Sequence, residues 1–525
     1  MILLLSALGA ALAAPGDEAT APTESPPADA PASPPATPPA DPPATPPAPP
    51  TDAAPVDPRE ADVFGTPDDR EADMFGAGPE PSPAAGPAEA SPFLGEVDIT
   101  RTSEADMAAR LGANDSVLTI GGQLYLRLSA YAMDDAPVQE ASLSAPNLLD
   151  VFLDARPNDR VRAYTQARLT HDYTVTDGET DFFGTPVERS RVTLDQLWIK
   201  GDLGRRVFVT AGQQRIKWGT GRFWNPSDFL NPDTYNPLST FDERTGVPLL
   251  KLHLPLDVVN LYTVATFSDA VDLGHTGGAA RAEILVGNTE LALSGKVQKD
   301  QPLGLGADLS TGFWLIDVHV EGALRHGVTT PRYSGELNFE TFTFPKSRSQ
   351  EDDWIPHVVA GAEIGIRYNS EDILYLGAEY FYNGMGYDDP AIYPALQLNF
   401  DALTSGVELT PENLANDAFQ PFYLGRHYGS AYALLSAPGQ LDDTSFTASV
   451  LTNLSDRTAA ARLDVRQTVL TWLALNAYVQ AYFGEYGEFR YGLEVPAVPF
   501  VEGLEDGITV VPGRGMVGIG AQVSF

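Results

Sequence analysis

Cysteine is absent from all 525 residues, which excludes disulfide frameworks, thiolate metal sites and cysteine nucleophiles. Basic side chains are scarce: 33 Lys and Arg stand against 71 Asp and Glu, and the resulting charge of −38 opposes attraction to polyphosphate. No nucleic-acid partner is expected. Long apolar runs are missing too, since the N-terminal run Met1 to Ala14 falls short of the roughly 18 to 20 residues that a membrane-spanning helix needs. The seven histidines are scattered without a metal-ligand spacing, and neither a G-x-S-x-G elbow nor a P-loop occurs. We therefore expect no enzyme activity, no cofactor and no metal.

What is present divides the chain unevenly. Residues 1–13 read as the apolar part of a secretory signal, with Ala11 and Ala13 supplying the small residues of a cleavage site, although no Lys or Arg precedes the run. About 23 of the 44 prolines lie between Pro15 and Pro92. Residues 14–92 accordingly read as a disordered, Pro/Ala-rich acidic linker, too poor in apolar surface to offset its ordering entropy. Between Ala14 and Ser116 fall about 20 acidic and 4 basic residues, so a large share of the negative charge belongs to this tail.

Within the linker a tandem repeat, Arg59 to Gly65 and Arg70 to Gly76, carries the aromatic anchors Phe64 and Phe75. These are tail docking candidates for a periplasmic partner; drift in duplicated low-complexity sequence is the alternative. Residues 93–116 form a short periplasmic segment in which Ser103 and Asp106 suggest a capped helix ahead of Met107 and Leu111.

From residue 117 onward the pattern changes to period two. In Leu118 to Ala132 the even positions are apolar or glycine, while Thr119, Gln123, Arg127 and Ser129 occupy the odd ones. The segments 161–173, 313–324 and 513–525 repeat the alternation. About 18 such segments (16–20) are read, many about 10 to 15 residues long, closer to tilted bilayer crossings than to the strands of soluble sheets. Connections after even-numbered segments are short and those after odd-numbered segments are mostly long, as in a transmembrane antiparallel β-barrel spanning 117–525. Tyr333 to Phe344 offers a further hairpin. Aromatics near strand ends (Trp198, Trp218, Trp354, Tyr380, Tyr382, Tyr423, Tyr428, Tyr432, Trp472, Tyr478 and Tyr482) suit interfacial girdles, with ordinary β-propensity as the alternative.

If the apolar faces meet lipid, the polar faces meet a lumen. Its basic candidates are Arg127, Arg160, Arg162, Arg168, Lys200, Lys217, Lys251, Arg281, Lys296, Arg367, Arg462 and Arg466. The acidic ones are Asp172, Glu283, Glu290, Asp317, Glu321, Glu363, Glu379 and Asp464. A basic excess would favour anions; the same residues could instead form cross-strand salt bridges that stiffen the wall. A bulge near Gln213 to Lys217 breaks the parity there.

The signal, the alternating strands and a last strand ending on Phe525 resemble the large outer-membrane porins of Gram-negative bacteria. Gly212-Gln-Gln-Arg-Ile-Lys-Trp-Gly219, followed by Asn225-Pro-Ser-Asp228 and Asn231-Pro232, resembles the G-x-Q-x-x-x-W-G and N-P-x-D elements of uncharacterised porin-like families and, more distantly, of alginate-export barrels. The resemblance implies an integral outer-membrane protein surrounded by lipid, with its tail in the periplasm and Phe525 as the signal for the barrel-assembly machinery. It also implies that the third long loop, 219–246, folds inward, with Arg222, Asp228, Asp233, Asp242, Glu243 and Arg244 as constriction candidates. Trp218, Phe223, Trp224 and Tyr235 would pack this loop on the wall or stack on a sugar ring. Three functions are compatible with these features: passive passage of small, preferentially anionic solutes; export of an acidic polysaccharide with periplasmic partners; and a membrane anchor whose tail docks a partner.

Overall fold

The computed structural model describes residues 117–525 apart from 135, 159, 177, 180–186, 232–235, 240–243, 336, 339–342, 370–371, 398–417, 496 and 498–506. The expected signal, the expected linker with Phe64 and Phe75, and the segment 93–116 lie outside the described residues, as do Asp233, Tyr235, Asp242 and Glu243.

Eighteen antiparallel strands close on themselves. They are β1 (Leu118–Met133), β2 (Pro146–Asn158), β3 (Val161–Asp172), β4 (Ser190–Leu203), β5 (Val207–Gln214), β6 (Val247–Leu256), β7 (Val259–Thr266), β8 (Gly277–Val286) and β9 (Thr289–Val297). The second half comprises β10 (Leu303–Phe313), β11 (Ile316–Ser334), β12 (Lys346–Arg367), β13 (Ile373–Asn383), β14 (His427–Ser436), β15 (Thr444–Asn453), β16 (Thr458–Leu470), β17 (Leu473–Phe483) and β18 (Gly513–Ser524). Each pairs with its neighbours in sequence, and β18 returns to β1 with Leu126 opposite Ala521. Closure removes the sheet edges, so every backbone group of the wall has a partner and the outside can face hydrocarbon.

The alternation decides which face does so. On β1, Leu118, Ile120, Leu126 and Leu128 are exposed, whereas Tyr125 and Ser129 are buried. The same division recurs on β4 (Leu194, Leu197 and Ile199 outward), β9 (Leu291 and Leu293) and β18 (Val517 and Ile519). A continuous exposed belt of Leu, Ile and Val is stable only against lipid, and this makes the barrel a transmembrane one.

Strand starts fall within a few residues of those expected from the alternation, except that β12 begins earlier, at Lys346. The turns after even-numbered strands are short, as between Val286 and Thr289 or Leu470 and Leu473. The stretch Tyr333 to Phe344 is not a separate hairpin. β11 and β12, 19 and 22 residues long, run on past the bilayer band, and a bridge between Asn338 and Thr343 lies at their tip. The parity break at Gln213 to Lys217 is also not a bulge, because β5 simply ends at Gln214. The bulge lies in β4, where pairing with β3 skips Asp195 and turns both Asp195 and Gln196 inward.

The aromatic girdle is sparser than the strand-end positions suggest. Trp354, Tyr380 and Trp472 are exposed on the outer face. Trp198, Tyr428 and Tyr432 are buried inside the barrel because their parity is that of the lumen, and Trp218, beyond the end of β5, is buried under the inward loop. Trp198 stacks on Tyr164, which stacks on Phe152, forming an inward aromatic row.

Candidate functional site: the lumen and its inward loop

The segment that follows β5 leaves the wall and crosses the lumen. Its start is fixed by the glutamine-rich motif. Gly212 has φ +124°, and a Cβ there would lie 2.1 Å from the Leu197 carbonyl, so only glycine fits. The Gln213 amide donates to the carbonyls of Leu194 and Asp195 at 2.7 and 3.2 Å, covering the bulged backbone. Arg215 pairs with Asp195 at 2.8 Å, and Trp218 is fully buried among Ile216, Leu230, Leu249, Tyr262 and Val264.

The N-P-x-D element closes the same loop on itself. Asp228 accepts from the Trp218 amide (3.3 Å), the Asn231 side chain (2.7 Å) and Arg244 (3.2 Å), and Asn231 also donates to the Ile216 carbonyl at 2.6 Å. Burial pushes the Asp228 carboxyl above its ordinary range, with Arg244 opposing the shift. The two motifs thus form one clasp joining the beginning and end of the loop.

Two wall carboxylates hold the middle of the loop. Glu321 on β11 accepts the amides of Thr220 (2.9 Å), Gly221 (3.1 Å) and Ser227 (2.7 Å). Glu379 on β13 accepts those of Arg222 (2.7 Å), Phe223 (3.1 Å) and Trp224 (3.1 Å), and His319 donates to it from Nε2 at 2.9 Å. Gly219, at φ +94°, lets Glu321 approach; a Cβ there would meet its Oε2 at 2.4 Å. Charge-assisted bonds of this kind are roughly twice as strong as neutral ones, so the loop is pinned at six points.

Arg222 pairs with Glu363 at 2.7 Å and lies over the Tyr432 ring. Trp224 stacks on Phe381 and donates to the Phe422 carbonyl. Phe229 lies flat on the lumen-facing glycines 304 and 306, where a Cβ would meet its ring at 2.7 and 3.2 Å. Packing, not an exposed stacking platform, is therefore what Trp218, Phe223 and Trp224 do.

The remaining wall candidates divide into three groups. Arg162 with Asp154 (3.0 Å), Arg168 with Asp150 (2.9 Å) and Arg281 with Asp308 (2.6 Å) bridge between strands, while Arg281 with Glu283 (2.7 Å) and Arg462 with Asp464 (2.7 Å) pair along one strand, and together they form a salt-bridge lattice. Arg160 and Arg367 are exposed at the short-turn rim and do not line the interior. The third group faces inward elsewhere on the wall: Arg127 donates to the Pro146 carbonyl, Arg466 donates to Gln522, and Lys200 lies 5.6 Å from the Phe208 ring. Lys217 stands beside Asp228, Lys251 is buried between Thr210 and Val264, and Lys296 is half-buried on β9.

The acids Asp150, Asp154, Asp195 and Asp308 are absent from the inward set that alternation suggests, and they cancel much of its basic excess. Asp150 and Asp154 share a lumen face with Leu148 and Phe152, which blurs the apolar signal of β2, and Asp195 sits on the bulge. Spacing to the arginines opposite them is the one signal that would have revealed them.

A second layer caps the long-loop rim over β13 to β16. Glu488, in the connection after β17, accepts from Tyr428 Oη (2.7 Å), Asn453 Nδ2 (3.0 Å) and the Phe422 amide. Burial pushes its carboxyl up to about 8.

No protein-family model matches the chain, and no curated protein matches it either. Solved structures that align with it are porins. A Rhodopseudomonas blastica porin variant aligns at 10% identity over 78% of this chain and 100% of that one, with a TM-score of 0.35. A BenF-like porin from Pseudomonas fluorescens gives 9% identity, 77% and 99% coverage, and 0.43. The Pseudomonas aeruginosa OccK11 gives 9%, 77% and 96%, and 0.41. At such values the likeness adds nothing to what the strand pairing establishes. The barrel stands on its own closure.

Proposed function

We propose that the protein is an outer-membrane channel that passes small solutes passively, without chemical change. The observation that carries this reading is the loop pinned across the lumen by Glu321 and Glu379. A fixed loop inside a transmembrane barrel narrows the passage by fixed dipoles and side chains, which is how a diffusive pore sets size and charge limits. It also disfavours a wide conduit for polysaccharide.

The passage runs along the arc from β16 through β18 to β3, where Gln123, Arg127, Gln166, Arg466 and Asn476 are half-buried. Arg127 and Arg466, which face this arc, lend it a modest preference for anions. In planar bilayers the purified barrel should show stable open conductance, with reversal potentials in a salt gradient displaced modestly toward the anion. Absence of conductance from a folded barrel would refute the channel; a strong cation preference would refute the charge assignment.

A further inference from the structure

Most lumen-facing arginines on the wall meet a carboxylate, and Arg325 on β11 does not. Its Nε is buried and has no hydrogen-bond partner, and among the described residues neither Arg325 nor Lys296 forms an ion pair. The two cations share one row of the wall. Lys296 on β9 is opposite Gly304 on β10, and Gly304 is opposite Arg325, so the two cations flank the Phe229 ring that covers this glycine, and each feels the other's charge. On the next strand His357, 4% exposed, has an unpartnered Nδ1 and feels Arg325 as well.

The acids nearby are committed elsewhere. Asp228 is held by Arg244, Asn231 and the Trp218 amide, and Glu321 by three loop amides. Asp269, which acts on Lys296, is exposed in the turn after β7. Two like charges and an unpaired buried donor are costly to hold on one wall unless something negative joins them.

We infer that Arg325, Lys296 and His357 form a binding site for one small oxyanion, on the lumen wall beside Phe229. The guanidinium offers the forked donors that suit carboxylate or phosphate oxygens, Lys296 adds a point charge, and His357 Nδ1 supplies a third donor in its Nδ1–H tautomer. Phe229 and Ile355, both buried, wall the site with apolar surface and so strengthen each contact. The inference rests on the channel reading only for how the anion reaches the site; the binding itself does not require conduction.

The test is titration calorimetry of the detergent-solubilised full chain with acetate and with inorganic phosphate, folding being checked by heat-modifiable gel migration. We expect saturable binding of one anion, weakened about tenfold in Arg325→Gln and about threefold in Lys296→Gln, and unchanged in Arg160→Gln at the exposed short-turn rim. Acetate binding alone would identify a carboxylate site and phosphate binding alone a phosphate site. No saturable binding of either anion, or Arg325→Gln binding as tightly as the parent chain, would overturn the inference. Should Arg325→Gln fail to fold, the Lys296→Gln titration decides by itself. Bilayer recordings of the same preparation separate the two readings, since binding without conductance sinks the channel alone and conductance without binding sinks the site alone.

Discussion

Two arcs of the same barrel use carboxylates in opposite ways. On the arc of β2 to β4, Asp150, Asp154 and Asp195 answer the guanidinium groups of Arg162, Arg168 and Arg215, and charge is neutralised side chain to side chain. On the arc of β11 to β13, Glu321 and Glu379 face the backbone of the inward loop and spend their charge on amides. The first arrangement stiffens a wall and leaves room beside it. The second turns a wall into an anchor, and it explains why an acidic lumen residue need not repel anions: its field is already absorbed by N–H dipoles.

Removing the anchor is the most severe way to break the comparison. Glu321→Ala with Glu379→Ala should release the loop, raising single-channel conductance several-fold and making the loop susceptible to limited proteolysis. Unchanged conductance and protection would show that the aromatic packing alone holds it. The single change Gly219→Ala should destabilise the loop by about 1–3 kcal/mol, read as earlier thermal loss of Trp fluorescence, because it strains a left-handed backbone and collides with Glu321.

Neutralising the other arc should act on charge more than on shape. Asp150→Asn with Asp154→Asn removes two lattice carboxylates and leaves Arg168 its 3.6 Å pair with Asp195, and the reversal potential should move further toward anions with little change in conductance. A shift toward cations would contradict the lattice.

The mildest expected effect concerns the rim. Glu488 in the docked cap has a pKa raised from about 4.5 to about 8, so the docked state holds a proton that the undocked state releases. Docking is fully supported below about pH 4.5 and weakens as pH rises through about 8. Protease sensitivity of the connection after β17 should increase over that window, and Glu488→Gln should flatten the profile.

Much of the wall was legible because lipid and lumen impose opposite demands on alternate residues, so Leu118 to Ala132 could be assigned both a conformation and an orientation. The clasp was legible as a motif, although its purpose was not: nothing in the spacing of Gly212, Trp218, Asp228 and Asn231 says that they close a loop. The anchors were legible as inward-facing acids, but their role was not. Glu321 and Glu379 lie about 100 and about 155 residues beyond the amides they bind, and a carboxylate aimed at backbone leaves no partner of opposite sign to find. Arg160 and Arg367 misled for a simpler reason, since parity gives direction around the wall but not height along it.

The seam between β1 and β18 sets a timetable. Gln123 finds its hydrogen-bond partner Gln522 399 residues later, so at about 5–20 residues per second the first strand waits on the order of 20–80 s before its second neighbour has even been made. Throughout that interval β1 carries an unpaired row of amides and carbonyls beside exposed Leu126 and Leu128, a template for self-association. A chain built this way depends on being shielded before it is finished.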